Sequence, residues 1–143
     1  MQNQKVLLLI IFVICLNVFE LFGQNYSIEY KLASIEVGYK VPQDHRLVKR
    51  FRTLLNQLDY KYVENRQEIA DATVKGKQML EERGIEEKME NIMEGMNLLF
   101  TSDIPNQKYT EYVAFYVVLR DKGMTHKESI DYMKSLLNSL GVY

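Results

Sequence analysis

Three methionines, Met89, Met93 and Met96, stand four and three residues apart. That spacing places their thioethers on one face of a helix. Met93-Glu94-Gly95-Met96 has the paired-methionine form that suits copper(I), a soft ion. The same positions are also the apolar stripe of a helix read from 85 to 100, and methionine fills irregular cores readily. Packing is therefore the expected role. Copper(I) carriage, another small ligand, or an adaptable peptide groove are the alternatives.

Other metal chemistry finds little support. His45 and His126 are the only histidines. A zinc site needs three or four ligands on facing positions, and the chain has no His-x-x-x-His, Cys-x-x-Cys or Glu-x-x-His spacing. Glu82, Glu86 and Glu90 repeat every four residues, which reads as a solvated helix face. No serine lies in a Gly-x-Ser-x-Gly context and no glycine-rich phosphate loop is present. The expectation is a non-catalytic protein without a cofactor.

Arg46, Lys49, Arg50 and Arg52, with Tyr60 further along the same helix, read first as a solvated face and, as the alternative, as a binding surface. Residues 40–61 carry six basic and two acidic side chains, whereas 64–94 carry nine acidic and five basic. Such polarity favours antiparallel pairing, within the chain or between two copies as a homodimer. It also steers the basic end toward anionic lipid, polysaccharide or an acidic partner. The net charge of −1 excludes a strongly basic nucleic-acid binder. A helix-turn-helix reading of Gly123-Met124-Thr125 is weakened by a last helix with only Lys127 and Lys134 as basic residues.

The elements that hold these residues begin after a distinct N-terminal segment. Lys5 precedes an unbroken apolar run from Val6 to Leu16, and Gly23 is a small residue at a natural cut. This is the layout of a secretory signal, with Gln24 as the new N-terminus. The run is short for a membrane span of about 20 residues, although an uncleaved anchor or a lipid-modified Cys15 are rival readings. Cys15 is the only cysteine, so a mature chain would have neither disulfide nor thiolate. An exported protein, periplasmic or extracellular, is expected, touching the membrane only through that segment if it is retained.

Residues 24–143 read as one helical domain. Tyr26 to Val41 fits both alternation and helical spacing; Ser27 as a cap and Gly38 near the end favour a short helix. Asp44 is the expected cap of a long helix reaching Arg83, about 60 Å if unbroken. Its stripe thins at Asn65 and Arg66. A helix follows from Ile85 to Phe100, then a loop with Pro105. From Tyr112 to Leu119 eight apolar residues run consecutively, which predicts a segment at the centre of the fold, buried around most of its circumference. It reads as a helix, with a buried strand as the alternative because period alone does not type such a run. Thr125-His126-Lys127-Glu128 is a capping box that opens the last helix, with Ile130, Met133, Leu136, Leu137 and Leu140 as its core face. The expected fold is all-α, a small bundle of three to five helices with one long member. Its expected role is to bind a protein or cell-envelope component.

Overall fold

A computed structural model describes residues 26–100 and 107–142. The expected signal segment 1–23, the cut between Gly23 and Gln24, Cys15 and the Pro105 loop lie outside the described residues. Those residues form six helices and no strands: α1 (Ile28–Val37), α2 (Arg46–Lys61), α3 (Arg66–Glu81), α4 (Met89–Leu99), α5 (Tyr109–Asp121) and α6 (His126–Ser139). The fold is all-α, as expected, but six helices replace the expected three to five. Among the described residues no helix is long and apolar enough to cross a membrane.

The ambiguous opening segment is helical. Ser27 caps α1 by accepting from the Tyr30 N–H, and Gly38 ends it in the left-handed conformation at φ 79°. α1 lays Tyr30, Leu32 and Ala33 against α2 and α3.

The expected single long helix is two helices. α2 ends at Tyr62, whose backbone is extended, and the Val63 N–H donates to the Gln107 carbonyl. Asn65 then starts α3 by accepting from the N–H groups of Gln67 and Glu68, while the Glu68 carboxylate receives the Asn65 N–H. This reciprocal cap satisfies donors that a continuous helix would have bonded internally, so the chain turns where the apolar stripe thins. Asn65→Ala is expected to cost about 1 kcal/mol, the usual worth of such a cap, measured as a lowered midpoint in urea with unchanged slope. The cap of α2 also moves by one residue. Asp44 sits in a turn closed by the His45 N–H on the Pro42 carbonyl, and the His45 imidazole accepts from the Leu47 N–H.

The third segment starts later than the sequence suggests, at Met89 rather than Ile85. Gly84 at φ 71° stops α3, and the Ile85 N–H returns to the Leu80 carbonyl. This pairing draws Ile85 back over the end of α3 and leaves Glu86 to Lys88 as a linker.

α2, α3 and α4 contact one another; α1 adds to α2 and α3, α5 to α3 and α4, and α6 to α4 and α5. Phe51, Leu55, Leu58, Ile69, Met89, Ile92 and Met96 fill the centre. Gly76 lets α3 approach α5, since a Cβ there would come within 2.6 Å of Val113 Cγ1. An aromatic group of Tyr62, Phe100, Tyr109 and Tyr112 meets edge to face at one end. There the Tyr109 hydroxyl lies 2.7 Å from Thr73 Oγ1.

Two expectations about burial change. α5 buries one face only, through Tyr109, Val113, Tyr116, Val117 and Leu119, because it lies at the edge of the bundle. Ala114 and Val118 are exposed. In α6 the capping box forms as expected, and Ile130, Met133 and Leu137 are buried, but Leu136 and Leu140 are exposed.

Candidate functional site

The basic residues of α2 do not form one patch, because they point in three directions. Arg50 turns to α4, where its Nε donates to Glu90 Oε1 at 3.1 Å and a second nitrogen to Glu94. Arg52 turns to α1 and donates to Glu29 Oε1 at 2.9 Å; Arg66 reaches the other oxygen of the same carboxylate at 3.4 Å. Burial alone would raise the Glu29 carboxyl, but the Arg52 hydrogen bond and the two positive charges hold it below its ordinary value. What remains outward on α2 is Lys49 and Tyr60, with Arg46 74% exposed and only 3.7 Å from Glu90.

Met89, Met93 and Met96 are all fully buried in the core. Their common helix face, legible from spacing, is the face α4 turns inward. Among the described residues no group of three or more His, Cys, Asp or Glu side chains is placed to hold a metal.

The most connected polar cluster was not foreseen from sequence. Glu87 lies in the α3–α4 linker and its carboxylate is the hub. Asn91 Nδ2 donates to Oε1 at 2.7 Å, the Tyr116 hydroxyl donates to Oε2 at 2.8 Å, and Arg120 donates to the same oxygen. Arg120 Nη1 also donates to the phenol oxygen at 2.8 Å. His126 Nδ1 lies 2.8 Å from that oxygen. The one hydroxyl hydrogen goes to Glu87, so the network assigns a hydrogen to Nδ1 of His126, which donates to the phenol. Loop, α5 and α6 are joined at this point.

Burial would raise the Glu87 carboxyl. The Asn91 and Tyr116 hydrogen bonds and the Arg120 charge outweigh it and hold the group below its ordinary value. Burial also pushes the Tyr116 phenol up, and the adjoining Glu87 carboxylate adds to the shift. The linkage sign follows. With the folded-state value lowered, the Glu87 contribution to stability is fully present above the unfolded value, near pH 4.3. It is lost as pH falls through the lower folded value. The Glu87 share of the stability is therefore expected to fall away below about pH 4.3. Glu87→Gln should show a flatter acid limb, read from urea midpoints between pH 3 and 7.

Glu87 forms one wall of a cleft of about 410 Å³, lined also by Glu36, Lys77, Glu81, Glu86, Lys88 and Asn91. Several of these groups already serve the fold. Lys77 Nζ donates to Glu81 at 2.6 Å and to the Glu87 carbonyl at 3.2 Å. Glu36, on α1, accepts the Met89 N–H at 2.8 Å, which caps α4 from another helix. Burial raises the Glu36 carboxyl despite that bond. α5 is capped from the turn between α2 and α3: the two Glu64 oxygens accept from Tyr109 N–H and Thr110 N–H at 2.8 and 3.0 Å. At the other end of α4, Lys61 Nζ donates to the carbonyls of Asn97 and Phe100, both at 2.7 Å. Burial lowers the value of that ammonium.

The MoxZ family model matches residues 41–136, from the buried Val41 into the last turns of α6. No curated protein and no solved structure matches the chain.

Proposed function

The chain belongs to the MoxZ family, and from that membership we propose that it is a small accessory protein of a methanol-oxidation system. On this reading it works by binding a protein of that system, methanol dehydrogenase or a component that serves it, and not by catalysis. The observation that carries the reading is the extent of the match, which takes in α2 to α5 whole and most of α6. The geometry adds support. Arg50, Arg52, Lys61, Glu64, Glu87 and Arg120 join one helix or linker to another. The outward face of α2, with Lys49, Tyr60 and the largely exposed Arg46, is the surface offered to an acidic partner.

The apolar run Val6–Leu16 makes export the accompanying proposal. Mass spectrometry of the protein from its host then finds Gln24 as the first residue, whereas an intact Met1 or a lipid on Cys15 refutes the cut.

The functional test is genetic. Deleting the gene in a host that grows on methanol is expected to abolish methanol-dependent growth while growth on a multicarbon acid continues. The full gene restores it. The combination Lys49→Glu with Tyr60→Ala restores protein level but not growth. Wild-type methanol dehydrogenase activity in the deletion strain would overturn the reading.

A further inference from the structure

The eight apolar residues from Tyr112 to Leu119 exceed what the bundle covers. Val118 is 47% exposed, and Phe115 is only half-buried. Beside them, on the neighbouring helix, Tyr132 is 47% exposed, with its ring 6.3 Å from that of Phe115, and Leu136 follows one turn later. The outward stripe of α5 has a defined order. Glu111, Phe115 and Val118 follow one another at intervals of four and three residues on one side of the helix, and Lys122, the C-cap four residues on, continues the stripe. Glu111, 3.3 Å from the exposed Lys108, lies at the solvent rim. An acidic residue stands at one end of the stripe, two apolar residues in the middle, and a basic residue at the other end.

We propose that this face of α5, flanked by the Tyr132–Leu136 edge of α6, is the interface of a two-fold homodimer. The order of the stripe selects the occupant. When two copies lie antiparallel about the midpoint between Phe115 and Val118, Glu111 of one copy faces Lys122 of the other, and Phe115 faces Val118. Both charge pairs and both apolar contacts form in one register. This is the self-complementarity that an isologous interface requires. A parallel arrangement sets Glu111 against Glu111 and Lys122 against Lys122. Ala114 beside the stripe allows the close approach of helix axes that such packing needs. With α6 alongside, the two copies complete a four-helix layer across the axis, and the exposed apolar edge is removed from water. This interface lies on α5 and α6 and does not depend on the partner-binding role given to α2.

The test uses the protein as the cell produces it from the full-length gene, purified and followed by sedimentation velocity. A concentration-dependent dimer is expected. Val118→Asp, at an exposed helix position, gives a monomer with an unchanged circular dichroism spectrum. Glu111→Lys and Lys122→Glu each weaken self-association by about tenfold, because each turns two rim pairs from attraction to repulsion. Mixed in equal amounts, these two variants restore a dimer, since both rim lysines of one chain then meet glutamates of the other. The double variant Glu111→Lys/Lys122→Glu dimerises like wild type. A protein that stays monomeric at all concentrations, a dimer indifferent to Val118→Asp, or a mixture that fails to associate each overturns the proposal.

Discussion

Arg120→Met is expected to destabilise the protein by about 3–5 kcal/mol, the usual cost of leaving one partner of a buried ion pair alone. The side chains concerned are 12% exposed for Arg120 and 5% for Glu87. Without the guanidinium, the Glu87 carboxylate keeps donors from Asn91 and Tyr116 but loses the positive charge that helps hold it ionised. Tyr116 loses a donor to its phenol oxygen at the same time. The loss should shrink at acid pH, because a protonated Glu87 no longer needs a counter-charge. Arg120→Met combined with Glu87→Gln should recover part of it at neutral pH, since a neutral amide can still accept from Tyr116. Urea unfolding of the two variants at pH 7 and pH 4 measures all three expectations. A single variant as stable as wild type at pH 7 would mean that water reaches the carboxylate freely.

The contrast between legible and illegible features follows the range of the interactions. Ser27 and the Thr125–Glu128 box act within one turn of chain, and each was readable from neighbours in sequence. The methionine stripe of α4 was readable because helical spacing reports which residues share a face. The break between α2 and α3 is the exception: its Asn65–Glu68 cap is as local as the Thr125–Glu128 box, but apolar residues at helical spacing on both sides of it favour one continuous helix. Glu36 on the Met89 N–H spans 53 positions and Glu64 on Tyr109 spans 45. No local pattern encodes such partners. The same holds for Glu87, which in sequence is one of a run of glutamates and in the fold is the buried hub.

The family match begins at residue 41, beyond α1, yet α1 is tied into the matched region by charge as well as by packing. Glu29 is shared between Arg52 on α2 and Arg66 at the start of α3, so it holds those two helices at one angle. Glu36 supplies the cap that Lys88 cannot offer to α4. The basic residues of α2 look like a surface patch in sequence and become struts in the fold for the same reason. Arg50 and Arg52 find carboxylates on neighbouring helices and Lys61 finds two carbonyls, while Lys49 and the loosely held Arg46 face outward.

Met93→Ala is expected to cost about 2–5 kcal/mol, the range for removing a fully buried long side chain and leaving a cavity. Met93 has no exposed surface, and Met89 and Met96 on the same helix face have none either, so the surroundings have little freedom to collapse into the space. Met93→Leu keeps most of the volume and is expected to cost less than about 1.5 kcal/mol. The pair distinguishes packing from ligation, because leucine replaces the bulk of methionine and none of its sulfur chemistry. If α4 is held by volume, Met93→Leu folds with a urea midpoint close to wild type and Met93→Ala does not. If thioether ligation of copper(I) contributes to the protein's stability, both variants lose the same increment when copper(I) is present. Met93→Ala with Met96→Ala should be non-additive, since the two residues lie one turn apart and share the cavity their removal creates. Equal stability of Met93→Ala and wild type would show that α4 does not depend on this face, and the register of α4 against α2 would then need another cause.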